Sequence, residues 1–410
     1  MEIQQSFQVE YRYRVVFTHG AFAAGNPCLP DLLRGAGAGP CRVLVVVDSG
    51  VLDADPHLPD RISRFVASCP EVVDLVTRPF VFRGGEVCKI DPVEVGRIHE
   101  LVERHHLCRQ SIILAIGGGA VLDAVGYAAA TAHRGVRLIR MPTTVLAQND
   151  AGIGVKNGVN AFGRKNFLGT FAPPFAVIND FEFLKTLPER ELRAGIAEAV
   201  KVALIRDAGF FTWLWEQRLE LARLEDTALE RMIVRCAELH LEHIRTSGDP
   251  FEFGSARPLD FGHWSAHKLE ELTEGELGHG EAVGIGVALD ALYCAKLGFI
   301  SEFELHKILA TLEAVGFELD HWALRWMDVE AALGGFQEHL GGVLTVTLLD
   351  GIGNRREVNE IDLPLMRQCI AELTLRGGKA AGDDECPGNL SPDRQRGPRP
   401  VLSRKPGAAS

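Results

Sequence analysis

Three of the chain's 14 histidines fall in one stretch, Asp260 to Gly286 (DFGHWSAHKLEELTEGELGHGEAVGIG), beside several carboxylates. His263 and His267 are four apart, so on a helix they share a face and can point into one cleft. His279 sits between two glycines, where backbone can come close to a ligand, just before a small-residue helix expected from about Glu281. Two neutral imidazoles and a carboxylate from elsewhere would suit a divalent zinc with one open position. The alternative is a solvated helix face that is rich in histidine.

Other residue types in the chain invite chemistry too. Glu198 and Lys201 lie three apart in the small, apolar run GIAEAVKVALI. A buried acid and base need partners or a metal, or else they pair only with each other. Gly117, Gly118 and Gly119 join a β-branched run to a helical one; exposed N–H groups at a helix start favour a pyrophosphate, although the spacing is not GxGxxG and a tight turn would look the same. Asp48 closes the run RVLVVV and could take a ribose hydroxyl or serve as a turn residue. Thr143 and Thr144 follow the next strand and bring hydroxyls to the same sheet edge. Asp150, Lys156, Lys165 and Asn166 lie in a glycine-rich stretch from Gln148 to Phe171 that reads as a long ordered loop; its lysines suit a phosphate monoester, or are ordinary surface residues.

The elements that must hold these groups follow from periodicity. Strands are expected at Val9–Phe17, Arg42–Val47, Val72–Val76, Phe80–Phe82, Ser111–Ile116, Val136–Arg140 and Ala176–Asn179, with helices at Pro92–His105 and Ala120–Ala132. GGEVCK, Gly84 to Lys89, reads as a loop. This alternation implies a parallel α/β nucleotide-binding domain over residues 1–180. From Pro188 the pattern is helical, with one strand signal at Leu344–Leu349, giving a helical metal and substrate domain over 181–376. Residues 377–410, rich in Gly, Pro, Arg and Asp, are expected to be a disordered tail.

Composition narrows the class. With 410 residues, 46% hydrophobic, the chain can bury a large core. A formal charge of -12 argues against general affinity for nucleic acid or anionic membrane. Nine cysteines without a CxxC pair fit reduced thiols, and no signal peptide or membrane span is visible, so a cytoplasmic protein is expected.

In order and spacing, GGEVCK, IGGGAVLDAVGYAAAT, MPTTVLAQND, KNGVN, GRKNFLGTF, GIAEAVK, FGHWSAH and HGEAVGIG resemble the 3-dehydroquinate synthase superfamily, the sugar phosphate cyclases, over about residues 10 to 370. The phrasing is most similar to the Ebo-operon dehydroquinate synthase-like branch. The resemblance implies a homodimeric lyase with NAD in the N-terminal domain and zinc, or cobalt, in the helical one. It implies zinc ligands Glu198, His263 and His279. It gives NAD to Asp48, Glu86, Lys89, Gly117, Gly118, Gly119, Asp123, Thr143, Thr144 and Asp150. Lys156, Lys165, Asn166, Asp260 and His267 would bind substrate, with Lys201, His267, Asp150 and Lys156 catalytic. In such enzymes NAD oxidises a substrate hydroxyl, phosphate leaves by β-elimination, hydride returns and an intramolecular aldol step closes a carbocycle.

This chain departs from the pattern around the substrate. Where dehydroquinate synthases carry an Arg and an Asn before the first zinc histidine, it has Ala256 and Asp260, with Arg257 out of register. By spacing, an upstream family lysine becomes Glu242, and paired lysines are missing near Glu338–Gly342, where His339 is the only stand-in. Leaving a substrate carboxylate without cations would cost several kcal/mol. The expected substrate is therefore a non-carboxylated sugar phosphate of the sedoheptulose 7-phosphate type. The rivals are 3-dehydroquinate synthase proper, an iron-type polyol dehydrogenase and a non-catalytic sugar phosphate sensor.

Overall fold

The computed structural model describes residues 1–376 except 163, 252–258 and 341. Ala256, Arg257, the His339 side chain and the tail at 377–410 therefore lie outside what is described here. The chain forms two compact units, Met1–Val202 with Leu219–Phe251, and Ala203–Arg218 with the described residues beyond Phe251.

The first unit is built on a parallel sheet. Its strands are β1 (Arg14–Thr18), β2 (Cys41–Asp48), β3 (Val73–Leu75), β4 (Phe80–Phe82), β5 (Ile112–Gly117) and β6 (Arg137–Pro142). After the hairpin strands β7 (Lys156–Ala161) and β8 (Arg164–Phe171) comes β9 (Ala176–Asp180). The order is β1-β9-β6-β5-β2-β3, with β4 also on β2. Both faces of β2 and β5 are covered, so their near-continuous apolar runs are what a doubly covered parallel strand requires. β1 starts at Arg14, not Val9.

The stretch expected as a long loop is instead structured. A π-turn at Ala147–Ala151 leads into the antiparallel β7–β8 hairpin, with a bulge between Val159 and Ala161. Gly158 and Gly169 face each other there. A Cβ on Gly158 would meet the Leu168 carbonyl at 3.1 Å, and one on Gly169 the Asn157 carbonyl at 3.0 Å. Glycines that look like loop punctuation are thus the residues that let two strands close.

The second unit is mostly helical, as expected. Helices at His263–Leu272, His279–Lys296, Glu302–Ala314 and Leu363–Arg376 dominate, and β10 (Val346–Leu349) pairs antiparallel with β11 (Arg355–Val358). The strand signal near Leu344–Leu349 is β10; β11, with two arginines and a glutamate in four residues, has no apolar alternation to reveal it. No helix among the described residues is long and apolar enough to cross a membrane.

Candidate active site

Register places the first cluster. Val47 pairs with Ile116 and Gly117 with Pro142, so Asp48, Gly117 to Gly119, and Thr143 stand at one carboxyl edge of the sheet. Ligands collect at such an edge in open α/β sheets. Asp48 accepts from the Gly50 N–H at 2.8 Å, and burial pushes its carboxyl up against the pull of the Gly50 and Gly118 amides. Gly117 cannot be larger, because a Cβ would lie 3.0 Å from that of Asp48 and 2.9 Å from Val121. Gly118 caps the helix Gly119–Thr131 in extended backbone, leaving that helix start without a side-chain cap of its own. Lys89, on a 3₁₀ turn at Glu86–Lys89 rather than a loop, is buried and pairs with Asp123 at 2.9 Å. Two residues expected at the cofactor thus hold each other, which fixes the turn carrying Glu86. Thr143 donates its N–H to Gly117 at 3.1 Å, and Thr144 Oγ1 accepts from Ala147 at 3.1 Å.

The hairpin carries the lysines. Lys156, Lys165 and Asn166 are all exposed. Asn166 adopts φ 54 and takes the Asn160 side chain on its N–H at 2.8 Å. This bulge brings the Asn166 Cα to 3.9 Å from where a Cβ on Gly158 would stand, two residues from Lys156.

Asp150 sits on the π-turn, 2.9 Å from His240 Nδ1 on the helix Asp226–Thr246. Burial would raise the Asp150 carboxyl; the His240 imidazole outweighs it and leaves the pKa below its ordinary value. Glu198 and Lys201, both buried, form an ion pair on the helix Glu189–Arg206. Gly195 lets that helix touch the Val145–Leu146 backbone, since a Cβ there would come within 2.3 Å of Val145, and Asn149 Nδ2 donates to the Gly195 carbonyl at 2.8 Å.

In the second unit His263 opens its helix behind Gly262, whose φ is 79. A Cβ on Gly262 would lie 2.6 Å from Gly286 backbone, and one on Gly286 2.1 Å from the Gly262 carbonyl. The two histidine-bearing helices therefore cross at glycine on glycine. Fully buried Asp290 ties the crossing, accepting from Gly262 N at 3.0 Å and Trp264 Nε1 at 2.9 Å; burial pushes its carboxyl up to about 7. The His263 ring centre is 5.4 Å from that of His267 and 5.7 Å from that of His279. His279 is the first residue of its helix, not a loop residue ahead of Glu281. Gly278 is the cap, and Glu281 reaches back to its N–H at 2.8 Å. His279 Nδ1 meets Glu270 Oε1 at 2.5 Å. His267 is exposed at one edge, yet surrounding protein atoms first and His263 second hold its imidazole below the usual pKa, so it is neutral at physiological pH.

Within the second unit His263 and His279 present two imidazoles side by side, one of them oriented through its second nitrogen by Glu270, an arrangement that suits a zinc-type ion completed by a carboxylate. Glu198, the carboxylate expected to join them, is buried on its helix in the first unit. Three contributors escaped the sequence reading: His240, Glu270 and Asp290. His240 was discoverable, because it continues the buried stripe of Ile233, Cys236 and Ala237 on its helix. Glu242, which by spacing takes the place of a family lysine, is exposed and 3.9 Å from Arg245.

Residues 79–194 match the 3-dehydroquinate synthase N-terminal family model, and residues 195–338 the C-terminal one. A 3-dehydroquinate synthase of Alkaliphilus metalliredigens is 33% identical over 82% of this chain and 90% of its own length. A 2-epi-5-epi-valiolone synthase of Streptomyces glaucescens is 34% identical over 89% of this chain and 92% of its own. ValA, a 2-epi-5-epi-valiolone synthase from Streptomyces hygroscopicus solved with NAD+ and Zn2+ bound, superposes with a TM-score of 0.81 at 30% identity. That match spans 91% of this chain and all, 100%, of ValA. The strand-edge cradle, the hairpin and the histidine helices are thus those of an enzyme belonging to the 3-dehydroquinate synthase family of sugar phosphate cyclases.

Proposed function

We propose that the protein is an NAD- and zinc-dependent cyclase that eliminates phosphate from a non-carboxylated ketose phosphate of the sedoheptulose 7-phosphate type and closes a carbocycle, working as a cytoplasmic homodimer. The observation that carries the reading is the side-by-side placement of His263 and His279 with Glu270 behind the His279 ring. ValA and the S. glaucescens relative, named for a valiolone-type product, support the substrate class. When bound, NAD accepts and returns one hydride, and zinc or cobalt offers Lewis acidity to the substrate oxygens.

The chain's own residues do the rest. Asp48 and the amides at Gly117 to Gly119 receive ribose and pyrophosphate, with Thr143, Thr144 and Glu86 beside them and the Lys89–Asp123 pair bracing the turn. Glu198, His263 and His279 hold the metal. Lys156, Lys165 and Asn166 grip the phosphate, whose oxygen takes up the proton of the neighbouring C–H as the C–O bond breaks. Lys201 Nζ and the His267 ring move protons at the substrate hydroxyls, and Asp150 and Asp260 orient those hydroxyls.

A second reading, 3-dehydroquinate synthase proper, is favoured by relatives of that name. Against it stand Ala256 and Glu242, neutral and acidic where the resemblance calls for cations to meet a carboxylate. Inorganic phosphate release from sedoheptulose 7-phosphate and from the carboxylated dehydroquinate synthase substrate separates the two. Release from the first alone supports the proposal; release from the second alone overturns it.

A further inference from the structure

Arg140 stands near the middle of the sheet, on β6, in register with Ala115 of β5 and Val177 of β9, and its side chain is 0% exposed. An apolar residue would be the ordinary occupant. No carboxylate pairs with it among the described residues. Its guanidinium instead collects backbone carbonyls from a single bend. Nη1 donates to Gly154 at 3.1 Å, to Gly152 at 3.3 Å and to Ala151 at 3.4 Å. Nη2 donates to the Lys156 carbonyl and to Asn157 Oδ1, each at 2.6 Å. Asn157, itself buried, passes the tie on, donating to the carbonyls of Val155 at 3.3 Å, Ala172 at 3.2 Å and Thr170 at 3.4 Å.

The bend runs from the end of the π-turn at Ala151 to the start of β7 at Lys156, so the carbonyls of Gly152 and Gly154 lie outside both helix and ladder. Buried carbonyls need donors, and a planar guanidinium offers five from one rigid fork. Asp150 precedes the first carbonyl and Lys156 owns the last. Gly126 shows how tightly Asn157 is seated, since a Cβ there would fall 1.8 Å from Asn157 Oδ1.

We infer that Arg140 is a positioning residue: it sets the backbone of Ala151–Asn157, and with it the directions of Asp150 and Lys156 relative to Thr143 and Thr144 on the same strand end. This rests on the proposed function for what those side chains do, but the bend itself is independent of it. A shift of about 1 Å in such groups is enough to cost on the order of 100-fold in rate.

The test uses the full-length holoenzyme and Arg140→Lys, which keeps a charge but loses the fork, with Asn157→Ser as a milder variant that keeps Arg140. Three readouts are taken: amide hydrogen exchange of residues 151–157 against β5, NAD titration, and phosphate release. We expect exchange in 151–157 to rise at least tenfold in Arg140→Lys and less in Asn157→Ser, while β5 is unchanged and NAD affinity stays within threefold. We also expect kcat for phosphate release to fall at least 30-fold. Unchanged exchange in 151–157, or loss of protection across β5 and the bend together, would show a general core residue and overturn the inference. A wild-type protein that releases no phosphate would refute the proposed function, and the exchange result would then decide on Arg140 alone.

Discussion

Glu270 Oε1 and His279 Nδ1 stand 2.5 Å apart, so the carboxylate fixes the tautomer and the tilt of a ring that we propose holds the metal through its other nitrogen. A carboxylate behind a metal-binding imidazole typically changes affinity by about 10- to 100-fold. Glu270→Gln should therefore weaken zinc affinity by about that factor in a competition with a chelator, with secondary structure intact by circular dichroism. Unchanged affinity would mean that Glu270 only fills space.

The glycine crossing makes a stability prediction. Gly286→Ala places a methyl 2.1 Å from the Gly262 carbonyl and 2.9 Å from Ser265 Oγ, so the helices must part. Overpacking of this kind costs roughly 1–3 kcal/mol, and here backbone is the obstacle, so the upper end applies. Urea unfolding should show that loss together with weaker zinc binding, because His263 sits beside the crossing. Wild-type stability would refute the contact.

Asp290 makes stability depend on pH. Its folded pKa, raised by burial to about 7, lies above the roughly 3.9 of an unfolded Asp. The stabilisation is complete below the unfolded value and is lost as pH rises through the folded one. Wild-type stability relative to Asp290→Asn should therefore fall between about pH 4 and pH 7 and level off above, by at most a few kcal/mol. A difference that is flat with pH would show that the carboxyl is ionised throughout.

His240 and Asp150 give the opposite sign. The imidazole holds the carboxyl low against burial, so in His240→Gln the Asp150 pKa moves up. The acidic limb of the kcat/KM profile should then shift to higher pH, with a rate loss at neutral pH on the order of 10-fold, a typical contribution of one positioned group. An unmoved acidic limb would remove Asp150 from the essential ionisations.

Legibility in the sequence followed the range of the signal. β2, β5 and the helix after the three glycines are local patterns, strong enough to give both the sheet and its carboxyl-edge residues within a position or two. The i, i+4 pair His263 and His267 was equally plain. What was missed depends on contacts far apart in the chain. Gly158 and Gly169 read as loop until they are seen face to face, and His240 went unnoticed because its partner, Asp150, lies 90 positions earlier in the chain. The role of Arg140 was not visible in the strand that carries it, since nothing local announces carbonyls waiting 11 to 16 positions later.

The most direct test follows inorganic phosphate and NADH absorbance together, using the purified wild-type protein with NAD, zinc and sedoheptulose 7-phosphate. The account predicts stoichiometric phosphate release with no net NADH, abolished in Glu198→Ala and in chelator-treated protein. Steady NADH accumulation without phosphate would contradict it and mark the protein as a polyol dehydrogenase built on the same fold.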